Sequence, residues 1–64
     1  MKLLIVTPDY LSHYLPLSAI GAEATHQGID VTVATGDSLA RRVVADGFRA
    51  LVDDYIATRY PKRS

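Results

Sequence analysis

At 64 residues the chain is at most one small domain, and a chain this short buries only about 60% of the surface it exposes when unfolded. Seven Lys and Arg balance seven Asp and Glu, a formal net charge of zero that argues against a general nucleic-acid binder. There are no cysteines, which removes disulfides and thiolate metal sites and fits a reducing, cytoplasmic setting.

Hydrophobic residues make up 48% of the chain, as in an ordinary folded protein. The longest unbroken apolar run, Leu3-Leu4-Ile5-Val6, is four residues long, against the roughly 20 that span a bilayer. Met1 to Val6 begins like a signal peptide, but Pro8-Asp9 breaks the run at once, so no membrane partner is expected. Residues 2–7 instead predict a strand. A continuous apolar run predicts burial on both faces, as in a parallel sheet.

Thr7-Pro8-Asp9-Tyr10-Leu11-Ser12 is the loop that follows. It holds no glycine, whereas a phosphate cradle needs backbone N–H groups brought close to the anion. The dinucleotide fingerprint is absent, so no NAD or FAD is expected here, and no other cofactor is implied. Pro16 suits the first turn of a helix, which places the cap near Ser12 or His13. Leu17, Ile20, Gly21 and Ala24 recur at helical spacing and predict the face that packs on the sheet. Gly21 there permits a close approach. Gly28 is the expected left-handed residue that closes the helix.

Asp30 to Thr35 predicts the second strand. Gly36-Asp37-Ser38 is a turn, with Asp37 or Ser38 as helix cap. Leu39 to Asp46 predicts a short helix with Leu39, Val43 and Val44 inward and Arg41 and Arg42 outward. After Gly47, residues 48–52 predict a third strand. From Asp53 the pattern fades: Tyr55 to Tyr60 fits a helical turn or an extended tail, and Pro61-Lys62-Arg63-Ser64 is a basic end.

The expected architecture is therefore α/β: a three-stranded parallel β-α-β-α-β half-Rossmann unit over residues 1–52, with 53–64 as a tail. Right-handed crossovers in the order 3-2-1 put both helices on one face of the sheet. The other face then carries apolar side chains without cover, so the unit is expected to open a larger domain or to meet a partner. Ligands of open parallel sheets bind at the crevice where strand gives way to helix, and the sequence puts His13 there.

His13-x-x-Pro16-Leu17 after the Met1–Val6 strand, the helix ending at Gly28, Asp30-Val31-Thr32-Val33-Ala34-Thr35-Gly36 and Arg42-Val43-Val44-Ala45-Asp46-Gly47-Phe48 together form a pattern. In that order and spacing, residues 1 to about 50 resemble the N-terminus of GT-B glycosyltransferases of the UDP-glycosyltransferase type. The bacterial enzymes that decorate macrolides and other natural products look closest. The resemblance implies an inverting sugar transfer from a nucleotide sugar to a small-molecule hydroxyl. It assigns His13 as general base and puts Tyr10, Ser12 and Tyr14 on the acceptor side. Imidazole suits the role, since it titrates near neutrality and a helix N-terminus disfavours its charged form. The nucleotide-sugar donor would be held mainly by a second domain beyond these residues. The aspartate that orients the base in that family comes from later in the chain; Asp9, Asp53 and Asp54 have no motif support for that role. Ser12 stands where the family often has glycine.

Read without the resemblance, His13 is an ordinary exposed or structural histidine, and Tyr10 and Tyr14 are loop packing. His13 and His26 are thirteen positions apart with no ligand cluster nearby, so no metal is expected. A receiver-type opening would need an acidic cluster after the first strand, which Asp9 alone is not. The non-enzymatic alternative is a half-Rossmann module that binds a partner chain, or a second copy, through its uncovered face.

Overall fold

The computed structural model describes residues 1–53. The chain runs β1 (Lys2–Val6), α1 (Leu11–His26), β2 (Asp30–Thr35), α2 (Asp37–Ala45) and β3 (Arg49–Val52). The strands form one parallel sheet in the order β1-β2-β3, so this is the α/β half-Rossmann unit that the patterning predicts. Leu4 lies beside Thr32, which lies beside Arg49; Val6 lies beside Ala34, which lies beside Leu51. The ladder runs one residue further on both sides, with Thr7 N–H donating to the Ala34 carbonyl and Asp53 N–H to the Thr35 carbonyl. The expectations for Asp54, for Tyr55 to Tyr60 and for the basic end fall outside the described residues.

One hydrophobic core fills the space between the helices and one face of the sheet. Ile5, Val31 and Val33 from the strands meet Tyr14 and Ala24 from α1, Leu39 and Val43 from α2, and Phe48 ahead of β3. Alternation along each strand sends the intervening residues to the other side. Leu4, Val6 and Leu51 there are 58%, 55% and 50% exposed. The apolar run of β1 is thus buried on one face only, a correction to the two-faced burial its composition predicts. Both faces carry apolar residues, but only one is covered by the described helices.

Helix α1 starts earlier than Pro16 suggests. The Tyr10 N–H donates to the Pro8 carbonyl, and the Tyr10 carbonyl then accepts from the N–H groups of His13 and Tyr14. That turn makes Tyr10 the N-cap and leaves Pro16 inside the helix. Proline there removes the donor to the Ser12 carbonyl. Ser12 is exposed, so water can take that acceptor. The packing stripe is Tyr14, Leu17, Gly21 and Ala24, while Ile20 is 58% exposed and belongs to the outer side. A Cβ on Gly21 would lie 2.9 Å from the Phe48 ring, so the close approach expected of this glycine is to the residue leading into β3. Gly28 has a φ of 84°, as a left-handed helix terminator should.

Helix α2 is capped across the fold. Its N-cap position is Gly36, which has no side chain, and neither Asp37 nor Ser38 serves as cap. The Asp9 carboxylate replaces it, accepting from the backbone N–H of Ser38 at 3.3 Å and of Leu39 at 3.0 Å. A negative group at a helix N-terminus is favoured both by the free N–H donors and by the helix dipole. Asp9 is 7% exposed, so the clamp is shielded from water. Of α2's apolar residues Leu39 and Val43 face the core, while Val44 is 61% exposed, another departure from the inward placement expected of it.

The clamp explains Gly36. A Cβ at that position would sit 2.6 Å from Asp9 Cγ and 2.7 Å from Oδ2, inside van der Waals contact. Gly36→Ala is therefore expected to push the carboxylate off the helix end and to lower stability by about 1–3 kcal/mol in urea titration, as overpacking does. An unchanged unfolding midpoint would contradict the close approach.

Candidate functional site

The crevice at the carboxyl ends of the strands is built by two strand-to-helix transitions and the end of the third strand. β1 turns at Pro8-Asp9-Tyr10 into α1, β2 turns at Gly36 into α2, and β3 ends at Val52. Thr7, Asp9, Thr35 and Gly36 are buried along this edge and form its polar floor. Thr7 Oγ1 donates to the Pro8 carbonyl at 3.1 Å. Thr35 Oγ1 is buried and has no hydrogen-bond partner among the described residues.

His13 is the third residue of α1 and is exposed at this edge. Its ring leans on Tyr10, with centroids 5.5 Å apart and planes at 48°. That tilted contact is an ordinary aromatic geometry and biases the imidazole to one side of the helix start. Ser12 is exposed on the same turn, and Tyr10 is half-buried. Three of the four residues singled out from the sequence, Tyr10, Ser12 and His13, thus come together on the first turn of α1. An imidazole in such a place can take a proton from a hydroxyl group brought to the edge.

Tyr14 does not join them. Its side chain is fully buried in the core, with no surface to offer a ligand. Its hydroxyl donates to Asp46 Oδ2 at 2.6 Å, and Arg42 Nε donates to the same oxygen at 3.2 Å. The Tyr14-Asp46-Arg42 chain ties α1 to the far end of α2. Burial, then the bond to Asp46, pushes the Tyr14 phenol above its ordinary range. The Tyr14 hydrogen bond, seconded by Arg42, holds the Asp46 carboxyl below its ordinary range.

The buried carboxylate at the edge is otherwise engaged. Asp9 is committed to the α2 N-terminus and does not orient His13. Among the described residues no group of three or more His, Asp or Glu could hold a metal ion, and His26 lies at the opposite end of α1 from His13. An apolar hollow lined by Ala19, Ile20, Glu23, Ala24, Gln27 and Ile29 also belongs to that far end. No described helix is long and apolar enough to cross a membrane. Comparison with family models, with curated proteins and with solved structures gives no match to this chain.

Two structural roles escape a reading of the sequence. Asp9 had no motif, and its use as a distant cap shows only when the β1 and β2 loops are brought side by side. The Tyr14–Asp46 bond spans 32 residues and has no local signature. The only sequence signal was the burial-sized tyrosine in phase with Leu17, Gly21 and Ala24.

The shifts set a pH window. A depressed carboxyl contributes stability above its unfolded value, near pH 4, and loses it as pH falls through the folded value. A raised phenol contributes stability below its unfolded value, near pH 10, and loses it as pH rises through the folded value. Tyr14→Phe is therefore expected to lower Tm most between about pH 5 and 9, with the difference from wild type closing below about pH 3 and narrowing well above pH 10. A gap in Tm that is constant from pH 3 to 9 would contradict the pairing.

Proposed function

We propose that this chain is the acceptor-side opening segment of an inverting glycosyltransferase that moves a sugar from a nucleotide sugar to a small-molecule hydroxyl, in a cytoplasmic setting. The observation that carries the reading is the exposed imidazole of His13 on the first turn of α1, at the ligand-binding edge of a parallel sheet, with Tyr10 against it. The likeness of the His13-x-x-Pro16 segment and its flanking strands to the UDP-glycosyltransferase pattern supports the same role.

In this reading His13 accepts the proton of the acceptor hydroxyl. The oxygen's electron pair forms the new bond to the anomeric carbon from the face opposite the leaving group. The old carbon–oxygen bond breaks, and its electrons leave with the nucleoside diphosphate. Tyr10 and Ser12 flank the acceptor, and Tyr14 supports the helix from within. The donor is held by a domain outside these 64 residues, so the chain alone is inactive. A second reading, a non-catalytic module that binds a partner, is favoured by the open apolar face of the sheet.

The test uses the protein encoded by the gene's full reading frame, incubated with nucleotide sugars and a panel of polyketide acceptors. Glycoside product is expected, and none from residues 1–64 alone. His13→Ala is expected to lower kcat by about 10²–10⁴-fold, the usual contribution of a general base, with Tm nearly unchanged. His26→Ala, at the exposed far end of α1, is expected to leave kcat intact. Retention of more than about a third of kcat by His13→Ala rules out the base, because that loss is under 1 kcal/mol of barrier.

A further inference from the structure

At the opposite end of the strands from His13, the sheet carries a charged cluster. Lys2 opens β1, Asp30 opens β2 with Thr32 two residues on, and Arg49 opens β3. Register sets Lys2 beside Asp30 and Thr32 beside Arg49, and alternation along the strands puts all four on the face turned away from the helices. They line one hollow of about 170 Å³. A water molecule's share of the liquid is about 30 Å³, so the hollow has room for a small polyatomic ion.

The cluster is not neutralised from within. Asp30 is the register partner of Lys2, yet no ion pair joins them, and neither Lys2 nor Arg49 pairs with a carboxylate among the described residues. Two cations thus outnumber one carboxylate. They stand on the outer strands, about 10 Å apart across the sheet, so an ion above β2 is reached from both sides. The donors and acceptor together select the ligand. Lys2, Arg49 and the Thr32 hydroxyl supply three donor groups, and Asp30 supplies an acceptor. A phosphate dianion offers three acceptor oxygens, which suit Arg and Lys, and as hydrogen phosphate it also offers one hydroxyl. Sulfate offers oxygens alone, and Asp30 meets it only as a like charge.

From this set we propose that the amino rim of the sheet binds a small phosphate, free or as a short hydroxylated monoester, with Lys2, Arg49 and Thr32 on the phosphate oxygens and Asp30 accepting from a ligand hydroxyl. That hydroxyl is the phosphate's own in the free ion and a carbon-borne one in the ester. Asp30 sets the specificity. Its charge repels every dianion, and the loss is offset only for a ligand that brings a proton to the carboxylate. The proposal stands independently of His13, which lies at the other edge of the sheet.

The test titrates the isotope-labelled 64-residue chain with inorganic phosphate, glycerol 3-phosphate and sulfate, in mildly alkaline buffer at constant ionic strength, and follows the amide NMR shifts. Phosphate or its ester is expected to move the amides of Asp30, Thr32 and Arg49 saturably and to bind at least about tenfold more tightly than sulfate, the worth of one charge-assisted hydrogen bond. The tighter of the two names the source, free ion or ester. Asp30→Asn is expected to close the gap by tightening sulfate, and Lys2→Gln/Arg49→Gln to abolish binding of all three, with circular dichroism showing that each variant is folded. The comparison of phosphate with sulfate on the unaltered chain stands even where a variant does not fold. Equal affinity for all three ligands marks an adventitious ion only and overturns the proposal. So does the lack of a saturable shift, or a shift centred on the first turn of α1.

Discussion

The arrangement of the described residues follows from two crossovers made in the same direction across the sheet. A right-handed connection from β1 to β2 and another from β2 to β3 place both helices on one side. That single constraint sorts the residues of each strand. Leu3, Ile5, Val31 and Val33 are enclosed with α1 and α2, and Leu4, Val6 and Leu51 are left on the other side. It also brings the starts of α1 and α2 to the same edge of the sheet, which is why Asp9, after β1, can reach the first turn of α2.

A unit this small needs more than apolar burial to hold its two helices in place. Two polar links supply the rest. Asp9 fastens the N-terminus of α2 to the β1 loop, with Gly36 leaving room for the carboxylate. Tyr14 fastens the start of α1 to Asp46 just beyond the end of α2, where Arg42 also binds the carboxylate. Both links are charge-assisted and at least partly buried, the setting in which hydrogen bonds contribute most. Together they fix the first turn of α1, so His13 and Tyr10 are displayed from a rigid element and not from a loose loop.

Strands and layer order were legible in the residues because the signals were local. The run 3–6, the alternating Val31 and Val33, and the glycine at 28 each act within a few positions. With each strand added on the same side of the last, the handedness rule put both helices on one face. Helix boundaries were less legible. Pro16 pointed to a later start for α1, but the Pro8–Tyr10 turn nucleates the helix first, and an exposed turn tolerates a proline within it. Val44 and Ile20 fit an apolar stripe on paper, yet each faces outward, since a helix packed on one side of a sheet buries only a narrow strip. At the site, Tyr10, Ser12 and His13 are grouped by one helical turn, as the spacing implied. Tyr14 is drawn inward by the helical phase it shares with Gly21 and Ala24. The partner of Asp9 could not be read, because it lies some 30 residues away in sequence and depends on the packing of two loops.

The one-sided burial of the sheet is the claim on which the account of the fold depends. It is tested most directly by NMR of methyl-labelled protein at low concentration, with a soluble paramagnetic agent as the reporter of exposure. The methyl signals of Leu4, Val6 and Leu51 are expected to relax strongly, while those of Ile5, Val33 and Val43 stay protected. Equal protection of Leu4 and Val33 would contradict the account.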